Sequence, residues 1–521
     1  MSAPLFYIGF TLLFTAMLLS LMPEVFAFYL GLISLLLFII FCFRYERTVV
    51  LVLASIFAAC FLFFVKTEFD YKPVQENAGK TIDIKGQVVG FDKKSDSGME
   101  RYIIKVSDGP LAGKTLRLTS KDNTAHLNDL VEFKGKISAL SGNYFKARNM
   151  YVGSYSYGKI EVTKYEDIYS SMPIYKRFSS FVRAKATDAS SYLETRLLID
   201  LPSDYAYVLY GMLIGEKDSL PQIIYENFQR AGIVHLLAVS GFHTSLWSML
   251  FYRALLRRGV NMRLSAALTV GFVVGFLALT GFSKSTIRAS IALIVFFLGR
   301  ILSRQSDSKS SLGLAAIIII VLNPFAGGDT GFLLSFFSTL GILTVFPIML
   351  GRVREFLRSH INNREVCDKV LNAFSVVLVT LSTLLFTLPV TMVTIGEVSL
   401  ISPLTNLLVT SVASLAIMLS GLAVVASFIP AISAFEKPLM LVSALIIKYV
   451  VNVSAWISTF SFSSVDIISG FAMVTVAAVL ILLLILILLL LLLLILILLL
   501  ILILLILILI LVLFQKFLSQ N

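Results

Sequence analysis

The sequence is short of charged residues: Asp, Glu, Lys and Arg make up only 14% of its 521 positions, whereas 58% are hydrophobic. An ordinary soluble domain carries about 25% charged residues, so this composition excludes a soluble enzyme. Apolar runs of about 17 to 25 residues recur along the chain, and each is long enough to cross a hydrocarbon core of roughly 30 Å. The composition therefore predicts a polytopic α-helical membrane protein.

Cysteine and histidine are scarce as well. The three cysteines lie in or beside apolar runs, so no disulfide framework is indicated. The four histidines are scattered along the chain, so no binuclear metal site can be assembled from sequence neighbours, and we expect no metal or other cofactor. These residues are Cys42, Cys60, Cys367, His126, His235, His243 and His360.

Three apolar runs at 5–21, 27–43 and 48–65 are predicted to be the first membrane spans. The first run has neither a basic n-region nor a small-residue cleavage site, so it is predicted to be a span and not a signal peptide. The basic turn RYER at 44–47 lies between the second and third spans. Lysine and arginine are enriched in cytoplasmic loops, so the third span is expected to end on the outer side.

The segment 66–170 is polar and alternates with period two in runs such as TIDIKGQVV, ERYIIKV and DLVEFKGKI. This alternation predicts a small β domain of about five strands, which the order of spans places outside the cytoplasm. Basic and aromatic residues are interleaved there, a combination that suits single-stranded nucleic acid. The candidate contacts are Lys134, Lys136, Tyr144, Phe145, Lys146 and Arg148. A solvated β barrel with ordinary core aromatics is the alternative.

A mixed segment at 171–231 predicts an amphipathic, interfacial helical region, with 205–214 as a possible re-entrant stretch. A second membrane block follows, and with the first three spans it brings the total to about twelve. The predicted spans are 232–251, 264–282, 286–302, 311–322, 331–350, 371–391, 404–428, 439–459 and 470 onward. In this register the basic loops at 253–263, 300–309 and 352–369 all fall on the cytoplasmic side, which agrees with an outer β domain.

The end of the sequence has an extreme composition, because every residue from 480 to 511 is Leu or Ile. As a helix this run would be roughly 48 Å long, which exceeds the thickness of a bilayer. It offers no small or polar residue that could specify helix packing. We expect a low-complexity last span in 471–521 without a function of its own, and a C-terminus on the cytoplasmic side.

The stretch HLLAVSGFHTS at 235–245 places two histidines inside an apolar run. Imidazoles and hydroxyls are costly in hydrocarbon unless they face protein or a wet cavity. Ser240 and Gly241 would permit a helix break between His235 and His243, with backbone groups lining that cavity. A two-histidine metal site and a hydrogen-bonded packing role for each histidine are the alternatives.

Three further polar breaks lie in the second membrane block. In LTGFSKSTIRAS at 279–290, short hydroxyls and two cations at a helix start favour an anion, with plain capping as the alternative. NPFAGGDTGFLLSF at 323–336 contains Pro324 and Asp329, the latter a candidate N-cap. SPLTN at 402–406 is the fourth break. All four map to the outer half of the block, so we expect them to converge there.

These motifs, in this order after three spans and an outer β domain, resemble the ComEC family of competence proteins over about residues 1 to 470. The matching residues are His235, Ser240, Gly241, His243, Gly281, Ser283, Arg288, Asn323, Pro324, Asp329, Gly331, Ser335 and Asn406. Thr280, Ser285 and Pro403 complete the predicted channel motif in 232–470. Departures from the family pattern are Glu216, Phe242 and Thr244.

The resemblance implies a channel, not an enzyme, that admits single-stranded DNA across the bacterial cytoplasmic (inner) membrane during natural transformation, with an OB-fold domain outside. It implies an outer DNA receptor, a cytoplasmic helicase and a separate nuclease as partners, and a homo-oligomer is possible. The sequence lacks a GxxxxGK[ST] motif, so a partner or the membrane potential must supply energy. It also lacks the H-x-H-x-D-H cluster of the nuclease domain that many family members carry.

Two other functions remain open at this point. The first is a membrane-embedded hydrolase that uses Ser240 with His235 or His243, although no acidic residue nearby would orient the base. The second is a small-solute transporter, although the sequence shows no convincing internal repeat of the kind that such transporters carry.

Overall fold

The computed structural model describes most of the chain up to residue 466. The described ranges are 4–21, 24–42, 47–77, 79–92, 100–120, 129–137, 154–156, 160–163, 174–215, 220–237, 241–280, 284–302, 307–360, 363–394, 397–399, 401–427, 430–460 and 463–466. Most of these residues are helical. The predicted span from 470 onward and the Leu/Ile run lie outside the described residues.

Three apolar helices come first: α1 (Pro4–Leu21), α2 (Glu24–Cys42) and α3 (Arg47–Lys66). They coincide with the three apolar runs of the sequence. The chain continues from α3 through a π-helical turn, Thr67–Tyr71, into the short helix α4, Lys72–Glu76.

A six-stranded sheet follows, where the sequence predicted about five strands. Its strands are β1 (Thr81–Asp92), β2 (Glu100–Asp108), β3 (Thr115–Ser120), β4 (Leu130–Ile137), β5 (Ser154–Ser156) and β6 (Ile160–Thr163). Their order is β1-β2-β3-β5-β4-β6, β1 also pairs with β4, and only the β3–β5 pair is parallel. Alternate residues such as Tyr102, Ile104 and Val106 are buried in its core, which is the physical basis of the period-two pattern.

Three helices connect the sheet to the second helical block: α5 (Ile174–Asp200), α6 (Ser203–Ile214) and α7 (Gln222–Arg230). Helix α6 contains the 205–214 stretch, for which the sequence left a re-entrant segment open, and every residue from 208 to 214 is buried. Helix α5 packs against α6, and Arg196 of α5 lies 2.7 Å from the carboxylate of Glu436. A 3-10 turn, Val234–Leu236, precedes the next helix.

Eight helices form the second block. They are α8 (Gly241–Arg257), α9 (Met262–Leu279), α10 (Lys284–Ile301), α11 (Ser308–Leu322), α12 (Thr330–His360), α13 (Arg364–Thr394), α14 (Ser402–Ser427) and α15 (Glu436–Ser458). Strands β7 (Glu397–Ser399) and β8 (Ser464–Asp466) pair antiparallel, so they join the segment before α14 to the segment after α15. Helices α12 and α13, and likewise α14 and α15, pack as antiparallel neighbours.

Six helices in the described residues are long and apolar enough to cross a membrane by length and composition. They are Thr48–Phe69, Met262–Leu279, Thr330–His360, Arg364–Met392, Leu404–Ser427 and Ile432–Ser458. Pro4–Ser20, Ala27–Ile39 and Ser308–Leu322 are apolar but shorter. The expected total of about twelve spans is therefore not confirmed. One reason is visible in α10, which carries Lys284, Arg288 and Arg300 within 18 residues.

The first span of the second block was predicted at 232–251, but the α-helix begins only at Gly241. Residues 231–233 form a turn in which Gly232 has a φ of +76°, a conformation that L side chains rarely adopt. The turn follows the end of helix α7. The apolar run is therefore divided between the 3-10 turn Val234–Leu236 and α8.

Candidate functional site

The four polar breaks lie next to the starts of α8, α10, α12 and α14, and contacts link them to one another. The first link joins the histidine segment to SPLTN. A Cβ atom built on Gly232 would lie 2.5 Å from Cβ of Ser402. The hydroxyl of Ser399 lies within hydrogen-bond distance of two carbonyls, that of Arg230 at 2.9 Å and that of Ser463 at 3.0 Å, which share its one proton. One serine therefore holds three chain segments together.

The second link joins the histidine segment to the LTGFSKSTIRAS segment. A Cβ atom on Gly241, the first residue of α8, would lie 3.6 Å from Cβ of Ala289 on α10. Further along the same two helices, the rings of Tyr252 and Phe297 lie 5.2 Å apart. Helices α8 and α10 therefore run side by side in the same direction.

The third link is an ion pair between Arg288 of α10 and Asp329. Nη1 of Arg288 lies 3.4 Å from Oδ1 of Asp329, and the two side chains are only 10% and 20% exposed. Oδ1 also accepts a 2.7 Å hydrogen bond from the backbone N–H of Phe332, so the predicted N-cap role of Asp329 is confirmed. The guanidinium carbon lies 5.9 Å from the centre of the Phe332 ring, within range of a cation–π contact.

The turn before α12 rests on the first three helices. Asn323 caps a 3-10 helix, Pro324–Gly328, by accepting a 3.3 Å hydrogen bond from the backbone N–H of Phe325. A Cβ atom on Gly327 would lie 2.6 Å from the backbone of Ala16 in α1, and the rings of Phe63 and Phe325 are 5.3 Å apart. Sequence reasoning missed this support because α1 and the turn are more than 300 positions apart and no local pattern connects them.

The two histidines lie on different elements and differ in burial. His235 lies on the 3-10 turn, keeps accessible surface although protein surrounds it, and forms a hydrogen bond with the backbone of Gly232. His243 lies in the first turn of α8 and is 1% exposed. Ser240, the predicted nucleophile of the hydrolase alternative, lies outside the described residues.

Thr280 was predicted to stand at a helix start, and this prediction is wrong. Its hydroxyl donates to the carbonyls of Phe276 and Leu277, at 3.2 and 3.1 Å, and it closes the C-terminal end of α9. The hydroxyl of Thr280 therefore bonds to α9 and does not cap the start of α10. Gly281 and Ser283 lie outside the described residues, and Ser285 lies in the first turn of α10.

The remaining predicted residues, Asn406, Pro403 and Ser335, lie on α14 and α12, and their described hydrogen bonds stay within those helices. Asn406 accepts a 3.3 Å hydrogen bond from the hydroxyl of Thr410, four residues further along α14. Pro403 is the second residue of that helix. A backbone N–H in the first turn forms no hydrogen bond within the helix, so proline is tolerated there. The carbonyl of Ser335 in α12 accepts from the hydroxyls of Ser338 and Thr339.

Of the predicted contacts in the β domain, only two fall on described strands. Lys134 and Lys136 lie on β4, opposite Asp83 and Thr81 of β1. Tyr144, Phe145, Lys146 and Arg148 lie outside the described residues.

Several buried polar atoms among the described residues have no hydrogen-bond partner. Most buried hydroxyls of the block bond to a carbonyl of their own helix, as Ser248 does with Thr244 at 2.7 Å. In contrast, Nε of Arg288, the hydroxyl of Ser290 and the hydroxyl of Tyr252 have no hydrogen-bond partner. Burying such groups unpaired is costly, so Nε of Arg288 retains the capacity for a further hydrogen-bond acceptor. The described residues contain no group of three His, Cys, Asp or Glu that could hold a metal ion.

These features define a polytopic helical membrane protein in which polar motifs from four separate segments gather at one end of a helical block. Residues 212–494, just over half of the chain, match the sequence model of the family described as "Competence protein". The chain therefore belongs to the competence protein family, as the motifs indicated.

Three curated relatives share shorter regions with the chain. One is "ComE operon protein 3" of Bacillus subtilis, 25% identical over 143 residues, which are 27% of this chain and 18% of that protein. "Uncharacterized protein MG316" of Mycoplasma genitalium is 33% identical over 129 residues, 24% of this chain and 32% of that protein. Its homologue in Mycoplasma pneumoniae is 26% identical over 138 residues, 26% and 35% of the two chains. The matched regions thus span at most about a third of each relative, and no solved structure matches.

Proposed function

We propose that the chain forms a channel that takes up single-stranded DNA across the cytoplasmic membrane during competence. The observation that carries this proposal is the convergence of the four polar breaks through Gly232–Ser402, Gly241–Ala289 and Arg288–Asp329. Polar helix starts gathered inside an apolar block are typical of a path for a polar solute. Membership of the competence family supports DNA as that solute.

The basic loops support the proposed orientation. The loops after α8, α10 and α12 carry Arg253–Arg263, Arg300–Lys309 and Arg352–Lys369, and they lie at the ends of the helices opposite the polar breaks. Enrichment of Lys and Arg in cytoplasmic loops would place the polar breaks, α3's C-terminal end and the sheet outside. DNA would then meet the sheet first and the polar breaks next.

The sheet is proposed to be an OB-type domain that binds the incoming strand. Three features support this proposal: the strand order β1-β2-β3-β5-β4, the return pairing of β1 with β4 and the parallel β3–β5 pair. An OB-fold is a five-stranded, partly open barrel. Lys134 and Lys136 on β4 would contribute charge for the phosphates. A cytoplasmic helicase, an outer receptor and a separate nuclease are proposed as partners, and the chain itself is proposed to act without enzymatic activity.

The test is uptake of linear DNA in a strain from which the gene has been deleted, with the variants restored at normal levels. Loss of uptake on deletion is expected, and uptake that survived deletion would remove the channel proposal. Replacing both Lys134 and Lys136 by Glu should reduce uptake without lowering the amount of protein in the membrane.

The histidines allow a sharper version of this test because they differ in burial. His235→Ala should leave membrane abundance unchanged and reduce uptake, since His235 is exposed at the polar end. His243→Ala should reduce both, because it removes a buried side chain. Ser240→Ala tests the hydrolase alternative, because a hydrolase would lose its nucleophile.

Gly241→Leu should disturb the packing of α8 against α10 and reduce uptake. Gly271→Leu is the control, because a Cβ atom there meets nothing within 4 Å.

A further inference from the structure

Arg288 is held in a position with unused hydrogen-bonding capacity. Its side chain is nine-tenths buried, and among the described residues its guanidinium makes one polar side-chain contact, a 3.4 Å approach to Asp329. A guanidinium can form a bidentate pair with a carboxylate or a phosphate, but here Nε has no partner. The ion pair is therefore weak, although the guanidinium itself can bind an anion strongly.

Asp329 has a second role that is independent of Arg288. Its Oδ1 caps α12 through the N–H of Phe332 at 2.7 Å, a shorter contact than the one to Arg288. The aspartate would therefore stay anchored to α12 if the arginine turned away.

The guanidinium is positioned by a close approach to Gly331. A Cβ atom on Gly331 would lie 3.3 and 3.4 Å from the two terminal nitrogens of Arg288 and 3.4 Å from Oδ1 of Asp329. A side chain at this position would contact the ion pair more tightly than is usual, so glycine leaves room beside it. Phe332 covers another side of the guanidinium, with 5.9 Å between Cζ and the ring centre.

We propose that Arg288 binds the phosphodiester backbone of the transported strand, and that Asp329 is a built-in counter-ion which the phosphate displaces. The inference rests on the proposed function and names the residue that contacts the substrate. One monovalent anion replaces another at the arginine, so the buried positive charge is never left without a partner, which would be costly. The phosphate has the oxygens to engage Nε and the terminal nitrogens together. When no DNA strand is present, the Arg288–Asp329 ion pair closes the path at this position.

The test measures binding of a fluorescent single-stranded oligonucleotide to the full chain in lipid nanodiscs. Asp329→Asn removes the competing charge and keeps a residue that caps helices well. We expect it to tighten binding about threefold or more, the share of a single phosphate contact. A variant that merely misfolded would weaken binding, so a gain identifies displacement. Arg288→Gln should weaken binding by a similar factor and lower the salt slope by about 0.7.

Three controls separate this proposal from a general effect of charge. Glu365→Gln releases Lys369 from an exposed 2.8 Å ion pair at the other end of the helices and makes the same change in net charge. It should leave binding unchanged. An oligonucleotide with an uncharged methylphosphonate backbone should not bind Asp329→Asn more tightly than the native chain. In the Arg288→Gln background, Asp329→Asn should have no effect.

The proposal is overturned if Asp329→Asn leaves binding unchanged, if Glu365→Gln tightens it equally, or if the gain persists without Arg288. Any of these results, with salt-dependent binding by the native chain, would leave the channel function in place. If the native chain binds no single strand at all, the proposed function fails, and this inference fails with it.

Discussion

Gly9 of α1 and Gly313 of α11 meet backbone to backbone. A Cβ atom on Gly9 would lie 2.6 Å from the carbonyl carbon of Gly313, and one on Gly313 would lie 2.5 Å from Cα of Phe6. Small residues at helix crossings let two backbones approach closely where lipid offers no hydrophobic driving force. The first helix, which lies outside the 212–494 region matched to the family, is therefore packed directly onto that region.

This crossing predicts that even one added methyl group destabilises the protein. Gly9→Ala and Gly313→Ala should each cost about 1 to 3 kcal/mol of unfolding free energy, because backbone atoms cannot move aside as a side chain could. The thermal unfolding midpoint of the purified protein in detergent would measure the loss. Gly271→Ala is the control, since a Cβ atom there meets nothing within 4 Å. Equal midpoints for Gly9→Ala and Gly271→Ala would contradict the prediction.

A second prediction concerns the ion pair that joins α5 to the start of α15. Nη2 of Arg196 lies 2.7 Å from both carboxylate oxygens of Glu436, which is 6% exposed. Glu436→Gln should lower the free energy of unfolding by about 1 to 3 kcal/mol. The loss should be smaller than for a fully buried ion pair, because Arg196 is 30% exposed.

A double-mutant cycle with Arg196→Gln measures the coupling between these two residues in the same thermal assay. The exposed pair Lys185–Asp188, with 3.2 Å between Nζ and Oδ2, should show about 0 to 1 kcal/mol in a parallel cycle. If the coupling energy of Arg196–Glu436 is no larger than that of Lys185–Asp188, burial does not strengthen the ion pair and the prediction is wrong.

The start of α11 predicts a pH effect. Asp307 accepts hydrogen bonds from the hydroxyl of Ser310 and from the backbone N–H groups of Ser310 and Lys309, and these lower the pKa of its carboxyl. A lowered folded-state pKa stabilises the folded protein above the ordinary value of about 3.9 and loses that contribution as the pH falls through the folded-state value.

Asp307→Ala should therefore lower the unfolding midpoint at pH 7 and have a smaller effect at pH 3. Loss of an N-cap typically costs about 1 kcal/mol. Asp307→Asn should retain most of the cap and reduce the pH dependence. A deficit in Asp307→Ala that is the same at both pH values would refute the role of the ionised carboxylate.

A fourth prediction tests orientation. In a background without Cys42, Cys60 and Cys367, a membrane-impermeant thiol reagent applied from outside should label Ala112→Cys, in the exposed turn after β2. It should not label Ser359→Cys, exposed at the end of α12. The reverse pattern would place the basic loops outside and overturn the proposed entry face.

The helices and strands were largely predictable, because each depends on residues close together in sequence. Apolar runs gave α1, α2 and α3, and alternation gave β1 to β4. Two local predictions failed for local reasons. The helix of the histidine segment starts later than its apolar run, because the turn at Gly232 interrupts it, and Thr280 bonds backward into α9.

By itself, the sequence determined the helical membrane class, the inserted sheet, the order of the polar breaks and the competence family, since hydrophobic periodicity and motifs are written within short windows. The tertiary structure decided which polar residues meet. Arg288 and Asp329 are 41 positions apart, and their pairing exists only because α10 and α12 begin at the same end of the block. The burial of His243 and the exposure of His235, only eight residues apart, likewise depend on neighbours that distant parts of the chain supply.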